Sequence, residues 1–124
     1  MDKKVLVLDA EKESCQVLCK ILEEQNYATT ALSSILGLEG QLENGGYLVV
    51  IVDFDSISVD NRVLRKITQR YPEVYFLCTS RDRFHPELED AICNNIYACL
   101  AKPIDTDELF YLLKSIYEQD VDAK

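Results

Sequence analysis

The stretch Leu48-Val49-Val50-Ile51-Val52-Asp53-Phe54-Asp55 sets five apolar residues, most of them β-branched, directly against two acids. A continuous apolar run of this length reads as a strand covered on both faces, the pattern of a parallel sheet. Such a strand presents its first carboxylates at its carboxyl tip. Val5-Leu6-Val7-Leu8-Asp9 repeats the pattern in shorter form and again closes on an aspartate. Further out, Val74-Tyr75-Phe76-Leu77-Cys78 is a third apolar run and Tyr97-Ala98-Cys99-Leu100-Ala101 a weaker one. Tyr27-Ala28-Thr29-Thr30-Ala31 is half polar, as suits an edge strand.

Between these runs the period becomes helical. Cys15, Leu18, Cys19 and Leu22 share one helix face, and Ile35, Leu38 and Leu42 repeat a similar face that Gly45-Gly46 ends. Leu64, Ile67 and Tyr71 mark a third helix, stopped by Pro72. Pro86 opens a fourth over Leu88, Ala91 and Ile92. Leu109, Leu112, Leu113 and Ile116 form the strongest stripe, behind Asp105 and Glu108 at capping-box spacing. Five strands alternating with five helices predict an α/β fold, a doubly wound five-stranded parallel sheet, because each right-handed crossover returns over the sheet. We expect one domain over 1–119 and a polar tail over 120–124.

With 124 residues, 48% hydrophobic and 28% charged, the chain has the composition of a soluble globular unit without a membrane span. Its cationic start is followed by too short an apolar run for a secretory signal, so the expected location is cytoplasmic. Five cysteines, an odd number inside apolar patterns, fit reduced thiols. Cys15 and Cys19 lack two further ligands at zinc-site spacing and read as small buried hydrophobes. A net charge of −9 without a basic run argues against nucleic acid and points to a protein partner or a cation. His85, the one histidine, stands before Pro86 and reads as a loop residue.

In an open parallel sheet, ligands bind at the carboxyl ends of the strands. For strand order 2-1-3-4-5, Asp9, Asp53, Asp55, Thr79 and Lys102 converge there. Carboxylates gathered at one edge repel unless a cation intervenes, and hard oxygen ligands suit Mg²⁺. An ammonium and a hydroxyl beside them can hold phosphoryl oxygens while one carboxylate acts as nucleophile.

On Asp9 in V-L-V-L-D-A-E, Asp53 in V-V-I-V-D, Thr79 in F-L-C-T-S and Lys102 in A-K-P, the chain resembles a response-regulator receiver domain over essentially its whole length. The resemblance implies a flavodoxin-like receiver fold and two-component signalling. It implies that Asp53 is phosphorylated by a histidine kinase or phosphotransfer protein with Mg²⁺ as cofactor, and that Thr79 and Lys102 bind the phosphoryl group. Asp9, Asp53 and the backbone carbonyl of Asp55 would be metal ligands, and the peptide before Pro103 would be cis. Where the family carries a second acid after the first strand this chain has Ala10, which weakens the expected Mg²⁺ site and makes Glu11 a further candidate ligand. Cys99 stands at the aromatic switch position, with Tyr97 displaced by two. In the loop 55–61 Asn61 is the residue that tolerates a left-handed backbone. Asp55 and Arg81 flank the expected phosphoryl site and are candidates for an ion pair that gates water.

A flavin carrier would need a phosphate loop after the first strand, where Asp9-Ala10-Glu11 stands instead, and a nucleotide hydrolase would need G-x-x-x-x-G-K-[ST], which is absent. The rival reading is a phosphorylation-independent pseudo-receiver, a protein interaction module. Phe110, Tyr111 and Tyr117 of the last helix are offered in either case for a downstream protein target, for a homodimer, or for core packing.

Overall fold

The computed structural model describes residues 4–58, 60–81 and 96–122. In chain order these form β1 (Lys4–Leu8), α1 (Lys12–Glu24), β2 (Ala28–Leu32), a 3-10 turn (Ile35–Gly37), α2 (Leu38–Glu43), β3 (Tyr47–Asp53), α3 (Asn61–Arg70), β4 (Tyr75–Ser80), β5 (Ala98–Ala101) and α4 (Thr106–Asp122). The expected helix at Pro86, Leu88, Ala91 and Ile92 lies outside the described residues, as does His85. All strand pairs are parallel, and the order is β2-β1-β3-β4-β5, as the alternation predicts.

The two faces of the sheet divide the core by strand parity, since successive side chains point to opposite sides. Leu6, Leu8, Val50, Val52, Phe76 and Cys78 pack with α2 and α3. Val5, Val7, Val49, Ile51, Leu77 and Leu100 pack with α1 and α4, through Leu18 and Leu22 on one and Leu109, Leu113 and Ile116 on the other. The half-polar β2 is one edge of the sheet and β5 the other.

Local chemistry sets the helix ends. Asp60 and Asp105 accept N–H bonds from Arg62 and Asp107, at 2.7 and 2.9 Å, and so cap the first turns of α3 and α4. Among the described residues other than glycine, positive φ falls at Asn26 (φ 70°) and not at Asn61, which is the first residue of α3. Asn26 closes α1 with Asn26 N–H and Tyr27 N–H bonded back to Glu23 and Leu22 carbonyls, so the positive φ belongs to a helix exit. α4 runs to Asp122, through part of the expected polar tail, where neither Gly nor Pro interrupts it. Among the described residues Cys15, Cys19, Cys78 and Cys99 form no disulfide, and no helix is long and apolar enough to cross a membrane.

Candidate functional site

The same parity assembles the site. Asp9 lies two residues beyond Val7, Asp53 two beyond Ile51, Thr79 two beyond Leu77 and Lys102 two beyond Leu100. All four thus continue the rows that face α1 and α4. Register brings them level: Leu8 pairs with Val52, Asp53 with Thr79, and the Lys102 N–H extends the β4–β5 ladder to the Ser80 carbonyl at 3.1 Å. The hydrophobic rows end where the helices stop covering the sheet, and polar groups take over.

Asp53 is 3% exposed. Its Oδ1 accepts from Lys102 Nζ at 2.6 Å and from the Thr79 hydroxyl at 3.0 Å, and its Oδ2 accepts from the Ser56 hydroxyl at 2.8 Å. Burial pushes the Asp53 carboxyl up, but the Lys102 hydrogen bond and charge, with the Ser56 and Thr79 hydroxyls, outweigh it and hold the group below the usual carboxylate range. Burial likewise disfavours the Lys102 ammonium, and Asp53 and Asp55 more than offset it, so its pKa is raised. At neutral pH the pair is an anion and a cation. Lys102 Nζ also reaches Asp55 Oδ2 at 3.0 Å, and Lys102-Pro103 is cis.

Ser56 was not expected in the site. The turn after β3 returns the Ser56 and Ile57 N–H groups to the Asp53 carbonyl, at 3.4 and 2.9 Å, and Ile57 anchors it in the core. The Ser56 hydroxyl is thereby aimed back over the strand tip, 3.0 Å from Asp9 Oδ1 as well as 2.8 Å from Asp53 Oδ2, and it accepts the Ala10 N–H at 3.0 Å. Asp9, 6% exposed, also accepts the Glu11 N–H at 2.8 Å and the Ser14 hydroxyl. The one available sequence signal was Asp-Phe-Asp-Ser itself, a turn composition directly after a buried strand.

This donor set does not fit a resident Mg²⁺. An octahedral ion wants oxygens at about 2.0–2.1 Å, and the space between the two carboxylates is held by the Ser56 hydroxyl. Ala10 supplies no carboxylate, and the Glu11 side chain is exposed while its backbone N–H meets Asp9. Among the described residues no group of three or more His, Cys, Asp or Glu side chains could hold a metal ion.

The other expected residues divide. Asp55 and Arg81 do meet, with Arg81 N–H 3.1 Å and Nε 3.9 Å from Asp55 Oδ2, although the nearer ammonium is Lys102. Cys99 lies opposite Cys78 in the β4–β5 register and packs on the α2–α3 face, across the sheet from Asp53. Tyr97 packs edge-on against Tyr75, ring centroids 5.2 Å apart. Phe110 and Tyr117 are joined to Tyr27 by ring contacts at 5.9 and 5.7 Å and pack, half-buried, against the core, while Tyr111 is 73% exposed.

No family model matches the sequence, and no curated protein matches it. Solved structures do match over nearly all of it. The signal receiver domain of an HD domain-containing protein from Pseudomonas fluorescens Pf-5 has a TM-score of 0.86 and 22% identity, over 98% of this chain and 99% of that one. A response regulator receiver domain protein from Clostridium thermocellum gives 0.82 and 24%, over 98% of each chain. A receiver domain protein from Methanospirillum hungatei JF-1 gives 0.84 and 16%, over 98% and 99%. The fold is that of response-regulator receiver domains.

Proposed function

We propose that the chain is a phosphoacceptor receiver module of a two-component or phosphorelay system, taking a phosphoryl group on Asp53 from a histidine kinase or phosphotransfer protein. The observation that carries this reading is the Asp53 carboxylate buried at a strand tip with Lys102 and Thr79 donating to one of its oxygens. An Asp53 oxygen attacks the phosphorus of the donor phosphohistidine. The new O–P bond forms as the N–P bond breaks, and the electron pair leaves on the imidazole, which takes up a proton from solvent. Lys102 and Thr79 then transfer their hydrogen bonds to the phosphoryl oxygens, exchanging one oxyanion for another. The module works in the cytoplasm and signals by protein contact rather than by turning over a separate substrate. Tyr111 is the aromatic residue of α4 left for such a contact, whether with a downstream target or with a second copy.

Ala10 together with the Ser56 bridge favours a second reading, a pseudo-receiver that binds its partner without phosphate. Incubation with acetyl phosphate across a Mg²⁺ titration, read by intact mass, separates the two. The first reading expects one phosphoryl group on the wild-type chain and none on Asp53→Ala. A wild type that stays unmodified at every Mg²⁺ level, while Ala10→Asp is modified, establishes the second.

A further inference from the structure

We propose that Ser56 sets the divalent-cation affinity of the acidic pocket, its hydroxyl bridging Asp9 and Asp53 in place of such an ion. The inference rests on the phosphoacceptor reading only in its consequence, that modification of Asp53 at Oδ2 requires this hydroxyl to be displaced.

Two carboxylates that are 6% and 3% exposed face a single hydroxyl, with Oγ 3.0 Å from one and 2.8 Å from the other. A serine hydroxyl has one proton and two acceptor lone pairs. The Ala10 N–H occupies the acceptor side at 3.0 Å, which turns the proton toward the carboxylates. Anions brought this close need positive charge between them, and here it comes from dipoles. The Ser56 hydroxyl shares its one proton between the two, while the Glu11 N–H and the Ser14 hydroxyl also donate to Asp9. Lys102 provides the full positive charge, and it sits on the opposite oxygen of Asp53.

Ser56 is also held in place. Its N–H is tied to the Asp53 carbonyl and the next residue, Ile57, is buried among core side chains, so the hydroxyl is not a loose surface group. An entering divalent ion must therefore remove an existing set of hydrogen bonds, and Ala10, whose N–H holds that hydroxyl, offers no carboxylate to repay the loss. Ser56 and Ala10 thus act together against a divalent ion between the two carboxylates.

The test is calorimetric titration of Mg²⁺, and separately Mn²⁺, into the full chain as wild type, Ser56→Ala, Ala10→Asp and the double variant, with circular dichroism confirming the fold. We expect Ser56→Ala to bind Mg²⁺ at least tenfold more tightly than wild type, equivalent to about 1.4 kcal/mol. We expect the double variant to exceed Ala10→Asp by a similar factor. An unchanged affinity in Ser56→Ala overturns the proposal, and a weaker one does so by making Ser56 a metal ligand. Should Ser56→Ala fail to fold, Ser56→Cys, whose thiol is a weak donor, is expected to shift affinity in the same direction, and no shift there is equally fatal. Acetyl phosphate modification of the same samples judges the phosphoacceptor reading separately. Tighter metal binding without acyl phosphate keeps the role of Ser56 and removes that reading, and acyl phosphate with unchanged metal affinity does the reverse.

Discussion

The Lys102 ammonium lies 2.6 Å from Asp53 Oδ1 and 3.0 Å from Asp55 Oδ2, joining the buried strand-tip carboxylate to the turn beyond it. Removing one partner of a buried pair typically costs about 3–5 kcal/mol because the other charge stays behind. The Lys102 side chain is 18% exposed and the Ser56 and Thr79 hydroxyls still serve Asp53, so solvent and these two donors soften the loss. We expect Lys102→Ala to lose about 2–3 kcal/mol in urea unfolding. Asp53→Ala added to it should recover part of that, which a double-mutant cycle will report as a favourable coupling between the two.

The same pair predicts a pH profile. Asp53 has its pKa lowered in the fold, so its contribution is complete above the unfolded value of about 3.9 and is lost as pH falls through the folded value. Lys102 has its pKa raised, so its contribution is complete below about 10.4 and is lost as pH rises through the folded value. Unfolding free energies measured in urea from about pH 2 to 5 should therefore slope less steeply in Asp53→Asn than in wild type. Equal slopes would mean that Asp53 titrates alike in the folded and unfolded chains.

Asp55 and Arg81 should prove unequal. Arg81 meets Asp55 with a side chain that is 74% exposed, whereas its backbone N–H bonds the same carboxylate in any variant. Arg81→Ala is expected to change stability by less than about 0.5 kcal/mol, as exposed pairs do. Asp55→Ala removes an acceptor for both Lys102 Nζ and the Arg81 N–H and should cost about 1–2 kcal/mol. Chemical denaturation of the two variants side by side checks the order. If the side chains gate water at the acyl phosphate, Arg81→Ala will also shorten its lifetime.

The two faces of α4 should respond differently to truncation. Leu113 is fully buried against the sheet, and Leu113→Ala is expected to lose about 2–5 kcal/mol by the cavity it leaves. Tyr111 points to solvent, so Tyr111→Ala should stay within about 0.5 kcal/mol of wild type. Thermal melts of both variants test this, and a large loss at Tyr111 would mean that its surface is already covered by another copy in solution.

Much of the site was legible because strand parity is written into the chain. Val7 and Asp9, Ile51 and Asp53, Leu77 and Thr79, Leu100 and Lys102 each stand two apart, so a reader who accepts the strands obtains four polar side chains on one face at one end of the sheet. The strand ends were less legible. β3 includes Tyr47 and Asp53, and β4 extends to Ser80, because ladder bonds to neighbours continue after the apolar run has stopped. Likewise, Asn26 and Asn61 carry the same tolerance for positive φ, and only the closure of α1 makes Asn26 the residue that uses it.

Local period and composition by themselves determined the α/β alternation, the buried strands, and the delivery of Asp9, Asp53, Thr79 and Lys102 to the strand tips, since these depend on neighbours a few residues away. The tertiary structure alone decided that Ser56, not a third acid, stands between Asp9 and Asp53. That contact joins residues 47 positions apart. It exists because the β1–β3 register sets the two aspartates side by side and the turn after β3, anchored by Ile57, folds the hydroxyl back between them.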